Sequence, residues 1–159
     1  MLLRAGHWLG RGSLLVEGFS LGETLECDAR VERDTGAFLI NASLKSQRGG
    51  ARDFVIRVAG NEVGTYSLRI QVGAEVLTGS AKLDSAPNLG LLWNDAESVY
   101  ATFSLFAISD GIGLRGFLRD GRNTFTWEIA FSEKRDMVKA DNVVSLRGKG
   151  TGRHGPRGR

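Results

Sequence analysis

A chain of 159 residues is long enough to bury one sizeable core, so a single domain is expected. Its formal net charge of +3 is unevenly spread: Arg147, Lys149, Arg153, Arg157 and Arg159 stand near the end with no acid among them, and removing them takes the first 146 residues to −2. A mildly acidic body argues against a nucleic-acid-binding face, one cysteine excludes an intrachain disulfide framework, and two histidines are too few for a zinc site built by protein alone.

The first residues, Met1-Leu2-Leu3-Arg4-Ala5-Gly6, lack the apolar run that a secretory signal or a membrane span needs, so a cytoplasmic protein is expected. Small residues then alternate with larger ones in Gly6-His7-Trp8-Leu9-Gly10-Arg11-Gly12 as the chain enters its first strand. Residues 24–33 alternate most clearly, with Leu25, Cys27, Ala29 and Val31 on one face and Glu26, Asp28, Arg30 and Glu32 on the other. The same period recurs at Phe38 to Leu44, at Phe54, Ile56 and Val58, and at Tyr66, Leu68, Ile70 and Val72. Between these runs stand Asp34-Thr35-Gly36, Gln47-Arg48-Gly49-Gly50, Gly60-Asn61 and Gly73, residues that suit tight turns.

The second half continues in kind. Leu77, Gly79, Ala81 and Leu83 share a face, Ser85-Ala86-Pro87-Asn88 breaks the strand, and a short apolar run follows over residues 89–93. Asn94-Asp95-Ala96-Glu97 turns the chain into a long strand, Val99–Ile108, whose two faces are both partly apolar. Strands over residues 112–119 and 124–131 come next, the latter with Phe125, Trp127, Ile129 and Phe131 in phase. A short helical turn is expected at 132–139 and a closing strand at 143–147; the Gly/Arg-rich stretch 148–159 cannot form a core and is expected to be a solvated, disordered arm.

About ten strands joined by short turns, with no helix long enough for a parallel crossover, predict an all-β, antiparallel up-and-down meander in residues 1–147. An open sheet of that size would leave two long edges free to pair with other chains. Closure into a barrel of about 8–10 strands is therefore expected, with a two-sheet sandwich as the alternative.

The pattern Gly6-x-Trp8-x-Gly10-x-Gly12 resembles the opening of the calycins, the group of lipocalins, fatty-acid-binding proteins and streptavidin-like barrels, and is most similar to its nitrobindin-like branch. The resemblance implies a tryptophan packed over the closed end of the barrel with a late arginine across its ring, for which Arg147 is the matching position. It also implies haem held by a histidine near the start of the last strand. Here Asp141 and Asn142 precede Val143, His7 should point away from the interior and His154 lies in the tail, so no haem or other cofactor is expected.

If Trp8 faces inward, alternation carries Leu14 and Val16 with it, and Tyr66, Phe125 and Trp127 from later strands join them with Trp93 or Phe103. Such an aromatic wall suits a small apolar or flat, lipid-like ligand, unless the same side chains simply fill a narrow barrel. The small inward residues, Gly10, Gly12, Ala29, Ala42, Gly79, Ala81 and Ala101, favour unfilled volume. Catalysis on a lipid-like substrate, of isomerase or cyclase type, has only Cys27, Tyr66 and Ser145 to draw on, and Cys27 reads as a small core residue. Arg57 and Arg69 are expected in surface pairs with Asp53 and Gln71. The apolar outer side of Val99–Ile108, with Tyr100, Phe106 and Ile108, suggests a homodimer.

Overall fold

The computed structural model describes residues 1–134, and the period of two in the sequence sorts nearly all of them into strands with one face inward. The strands are β1 (Gly6–Val16), β2 (Glu23–Asp34), β3 (Ala37–Ser46), β4 (Gly50–Gly60) and β5 (Tyr66–Val72). They continue as β6 (Glu75–Lys82), β7 (Asn88–Trp93), β8 (Val99–Ile108), β9 (Gly111–Asp120) and β10 (Asn123–Glu133). Each pairs antiparallel with the next, and β10 returns to β1, so the ten strands form one closed up-and-down barrel. Closure removes both sheet edges and excludes the sandwich.

Among the described strands, β10 closes the barrel. Its register on β1 runs from Trp8 opposite Glu133 to Val16 opposite Phe125, most of the length of both strands. Ser132 and Glu133, expected to begin a helical turn, extend that pairing instead. The remainder of that turn, the 143–147 segment with Arg147, and the 148–159 tail lie outside the described residues.

Short turns hold the hairpins in register. At the β2–β3 connection the Asp34 carboxylate accepts from the Thr35 amide at 2.9 Å and Gly36 takes the left-handed conformation, φ 74°, that the turn demands. Between β7 and β8 the buried Asn94 side chain accepts from the amides of Ser98 and Val99 at 2.9 and 3.1 Å, doing the work of a further backbone carbonyl.

A second device comes from glycine. Gly10 stands directly opposite Phe131, Gly90 opposite Phe103 and Gly116 opposite Trp127 on the inner wall, and Gly113 stands opposite Phe106 on the outer one. In each pair the aromatic ring lies where a glycine Cβ would be. A large flat side chain thus covers the backbone its partner leaves bare, which pins the register and lays the ring along the wall.

Candidate functional site

The end of the barrel at which β1 begins is sealed. Trp8 is 4% exposed and packs in one cluster with Ala29, Val31, Phe38, Val58 and Leu68, while Leu2 and Leu3 from the leading segment fold against it. The Trp8 indole donates to the carbonyl of Arg4 at 3.2 Å, and the Arg4 guanidinium lies 5.8 Å from the ring centre. Among the described residues the arginine over this tryptophan is Arg4, four residues upstream; Arg147, the position the resemblance implied, lies outside them. Beyond the seal, an open recess of about 730 Å³ separates the first residues from the β8–β9 turn, bounded by Leu2, Arg4, Trp8, Asp110, Ile112 and Glu133.

Away from the seal the inner wall changes character. On β3, Phe38 is buried, whereas Ile40, Ala42 and Leu44 are only half-buried; on β4, Val58 is buried, whereas Ile56 and Phe54 are not; on β5, Leu68 is followed by half-buried Ile70 and Val72. Phe125 and Trp127 on β10 and Leu14 and Val16 on β1 behave in the same way. Each of these side chains is inward and flanked by paired strands on both sides, so the lumen is its route to solvent. The small residues Gly10, Gly90 and Gly116 do not supply that space, because Phe131, Phe103 and Trp127 lie across them.

Of the residues expected to line a pocket, Trp8, Leu14, Tyr66, Phe103, Phe125 and Trp127 face inward. Trp8 belongs to the seal, and Tyr66 sits near the same end, where its hydroxyl donates to the Asp84 carboxylate at 2.7 Å and its pKa is raised by that bond. Trp93 is the correction. Asn88, Gly90 and Leu92 are the buried positions of β7, so Trp93 lies on the outer surface, 38% exposed.

Cys27 faces the lumen between Gly10 and Leu44, and burial, reinforced by the nearby Asp28 charge, pushes its thiol up to about 11. At neutral pH it is a protonated, apolar wall residue. His7 is on the opposite face of β1, with Nε2 2.7 Å from Asp28 Oδ1 on the outside of the barrel. Among the described residues no group of three His, Cys, Asp or Glu side chains is placed to hold a metal, and no helix is long and apolar enough to cross a membrane.

Two features escaped the sequence reading. Asn88, at the first inward position of β7, is 6% exposed and its Oδ1 has no hydrogen-bond partner among the described residues; an Asn after a proline reads as turn chemistry rather than wall. On the outside, Arg57 stands directly opposite Arg69, and its carboxylate contact is Asp34 at 3.6 Å, not Asp53. Phe106, expected at a dimer interface, is already covered within the chain: its ring lies on Gly113 and the Arg115 guanidinium sits 5.0 Å above it.

No family model matches the chain, and no curated protein matches it.

Proposed function

We propose that this barrel binds a small apolar or aromatic, lipid-like molecule in its lumen, in the manner of the calycin barrels that its opening motif resembles. The supporting observation is the half-buried inner wall of β3, β4, β5 and β10, where Ile40, Ala42, Leu44, Ile56, Ile70 and Trp127 remain open to a lumen of apolar chemistry. A chain that gained nothing from that space would be expected to fill it, since an unfilled apolar wall forfeits packing contacts. The ten-stranded closed form is compatible with calycins, whose interior is wide enough for one small ligand.

The test pairs native mass spectrometry of gently purified protein with thermal shifts in a series of fatty acids of increasing chain length. A bound mass, or a melting temperature that rises with ligand concentration, is expected; a ligand at a hundred times its Kd adds about 2.7 kcal/mol to stability. Ala42→Phe, which projects a ring into the lumen from mid-strand, should fold and lose the response. An apo mass together with no shift for any ligand would show a barrel that holds nothing.

A second reading, a homodimer, keeps one observation in its favour. Leu89 and Leu91 on β7, Tyr100 on β8 and Phe117 on β9 are exposed on adjacent strands and make a contiguous apolar strip. Light scattering across a hundredfold concentration range tests it, and a constant monomer mass would dispose of it.

A further inference from the structure

The strongest unassigned feature lies on the outer wall, across β4 to β7. The register aligns Arg57 with Arg69, Arg69 with Thr78 and Thr78 with Trp93, in one row perpendicular to four strands. On one side of the row stand the short side chains Ala59, Ser67 and Ser80, so the two arginines and the indole border a trough of about 320 Å³. The pairing register makes this shape: it brings long residues and small hydroxyl residues of neighbouring strands together on one face.

Two costs in this arrangement have no compensation within the described residues. Like charges directly opposite each other in a sheet repel. Arg57 is in contact with Asp34, but both side chains are more than half exposed, and Arg69 has no carboxylate within 4.0 Å among the described residues. The second cost is Trp93 itself, an indole left 38% exposed in the same row, two strands from Arg69 across Thr78. An oxyanion set between the two guanidinium groups relieves the first, because each can offer a planar fork of N–H donors. A flat ring attached to that oxyanion and laid on the indole relieves the second.

We propose that this trough binds a small planar oxyanion, an aromatic or heteroaromatic ring carrying a phosphate or carboxylate, with Arg57 and Arg69 on the anion and Trp93 under the ring. Its volume is at the low end for small-molecule sites, which suits one ring and one anionic group rather than an extended chain. The residues sit on paired strands of a closed barrel, so the site is pre-formed and binding requires little reorganisation. It is separate from the lumen: the two lie on opposite sides of the same wall.

The test follows the indole N–H resonances of Trp93, Trp8 and Trp127 in the full chain during titration with phenyl phosphate, phenol and inorganic phosphate. Phenyl phosphate should shift the Trp93 signal saturably and leave Trp127, inside the barrel, unmoved. Phenol and inorganic phosphate, each supplying half of the recognition, should bind at least about tenfold more weakly. Arg69→Gln, a surface change that leaves the fold intact, should weaken phenyl phosphate about tenfold or more, the worth of a charge-assisted hydrogen bond, and added salt should weaken it further. Benzoate in place of phenyl phosphate distinguishes the two anion types. No saturable shift of Trp93 at tens of millimolar, or a shift indifferent to Arg69→Gln, would overturn the proposal, and a shift at Trp127 alone would assign the ligand to the lumen instead.

Discussion

The seam between β1 and β10 can be tested by adding a single carbon. A Cβ at Gly12 would overlap the Glu128 carbonyl oxygen and stand 2.7 Å from the Ile129 Cα and 2.8 Å from the Glu128 carbonyl carbon. All three are backbone atoms of the closing strand, so no rotamer change makes room and the two strands must separate. A Cβ at Gly10, two residues earlier, would meet the Phe131 ring at 2.6 Å and the Ile129 Cγ2 at 2.9 Å, side-chain atoms that can turn away. Overpacking costs about 1–3 kcal/mol and more where nothing yields, while the loss of chain entropy in the unfolded state returns about 0.4–1 kcal/mol to any Gly→Ala change. Gly12→Ala is therefore expected to lose about 2–3 kcal/mol, a fall in Tm of roughly 5–10 °C for a domain of this size. Gly10→Ala should lose less, and Phe131→Leu in the same chain should recover part of that loss, giving a coupling of about 1 kcal/mol in a double-mutant cycle. Urea denaturation with tryptophan fluorescence measures all of these. If Gly12→Ala melts within a degree or two of the parent, or less readily than Gly10→Ala, the seam is not held by close backbone approach.

Three further outcomes follow from side chains whose surroundings are unusual. Asn88→Leu removes a buried acceptor with no partner among the described residues, a desolvation cost of about 1–3 kcal/mol, so stability should hold or rise; a clear loss in denaturation would mean that Asn88 is hydrogen-bonded in solution. The Cys27 thiol, raised from 9.0 to about 11, binds its proton more tightly folded than unfolded, so the stability it contributes is fully present below pH 9 and is lost as pH rises toward 11. Cys27→Ala should flatten that limb of the stability profile, and an unchanged slope would assign it to other groups. The Glu128 carboxylate is held below its ordinary range by its hydrogen bond to Arg115, 2.7 Å away, so the contact is favourable above that range and is lost as pH falls through the lowered value. Arg115→Gln should move the Glu128 titration upward in an NMR experiment, and no movement would mean that the pair does not form in solution.

Most of the inner wall was readable from the chain, because polar and apolar residues alternate cleanly from β2 to β5. A strand with charges at every other position has one possible phase, so Leu25, Cys27, Ala29 and Val31 had to face inward together. The same logic failed at residues 89–93, where Leu89, Leu91, Leu92 and Trp93 are apolar in both phases. There the phase is set by pairing, with Leu92 opposite the buried Ala101 and Trp93 opposite the outward Tyr100. That pairing puts the indole outside, in one cross-strand row with Thr78 and Arg69, where no local pattern announced it.

The sequence by itself determined the all-β class, the turns and the side of the wall on which most residues lie, since these depend on neighbours one or two positions away. Only the tertiary structure decided which strand closes the barrel and that Arg57 faces Arg69. The same holds for the aromatic rings that lie on glycines of the next strand. Each of these contacts joins residues whose relative position is set by hairpin register and by the closure of ten strands, and neither is written in the periodicity of any one segment.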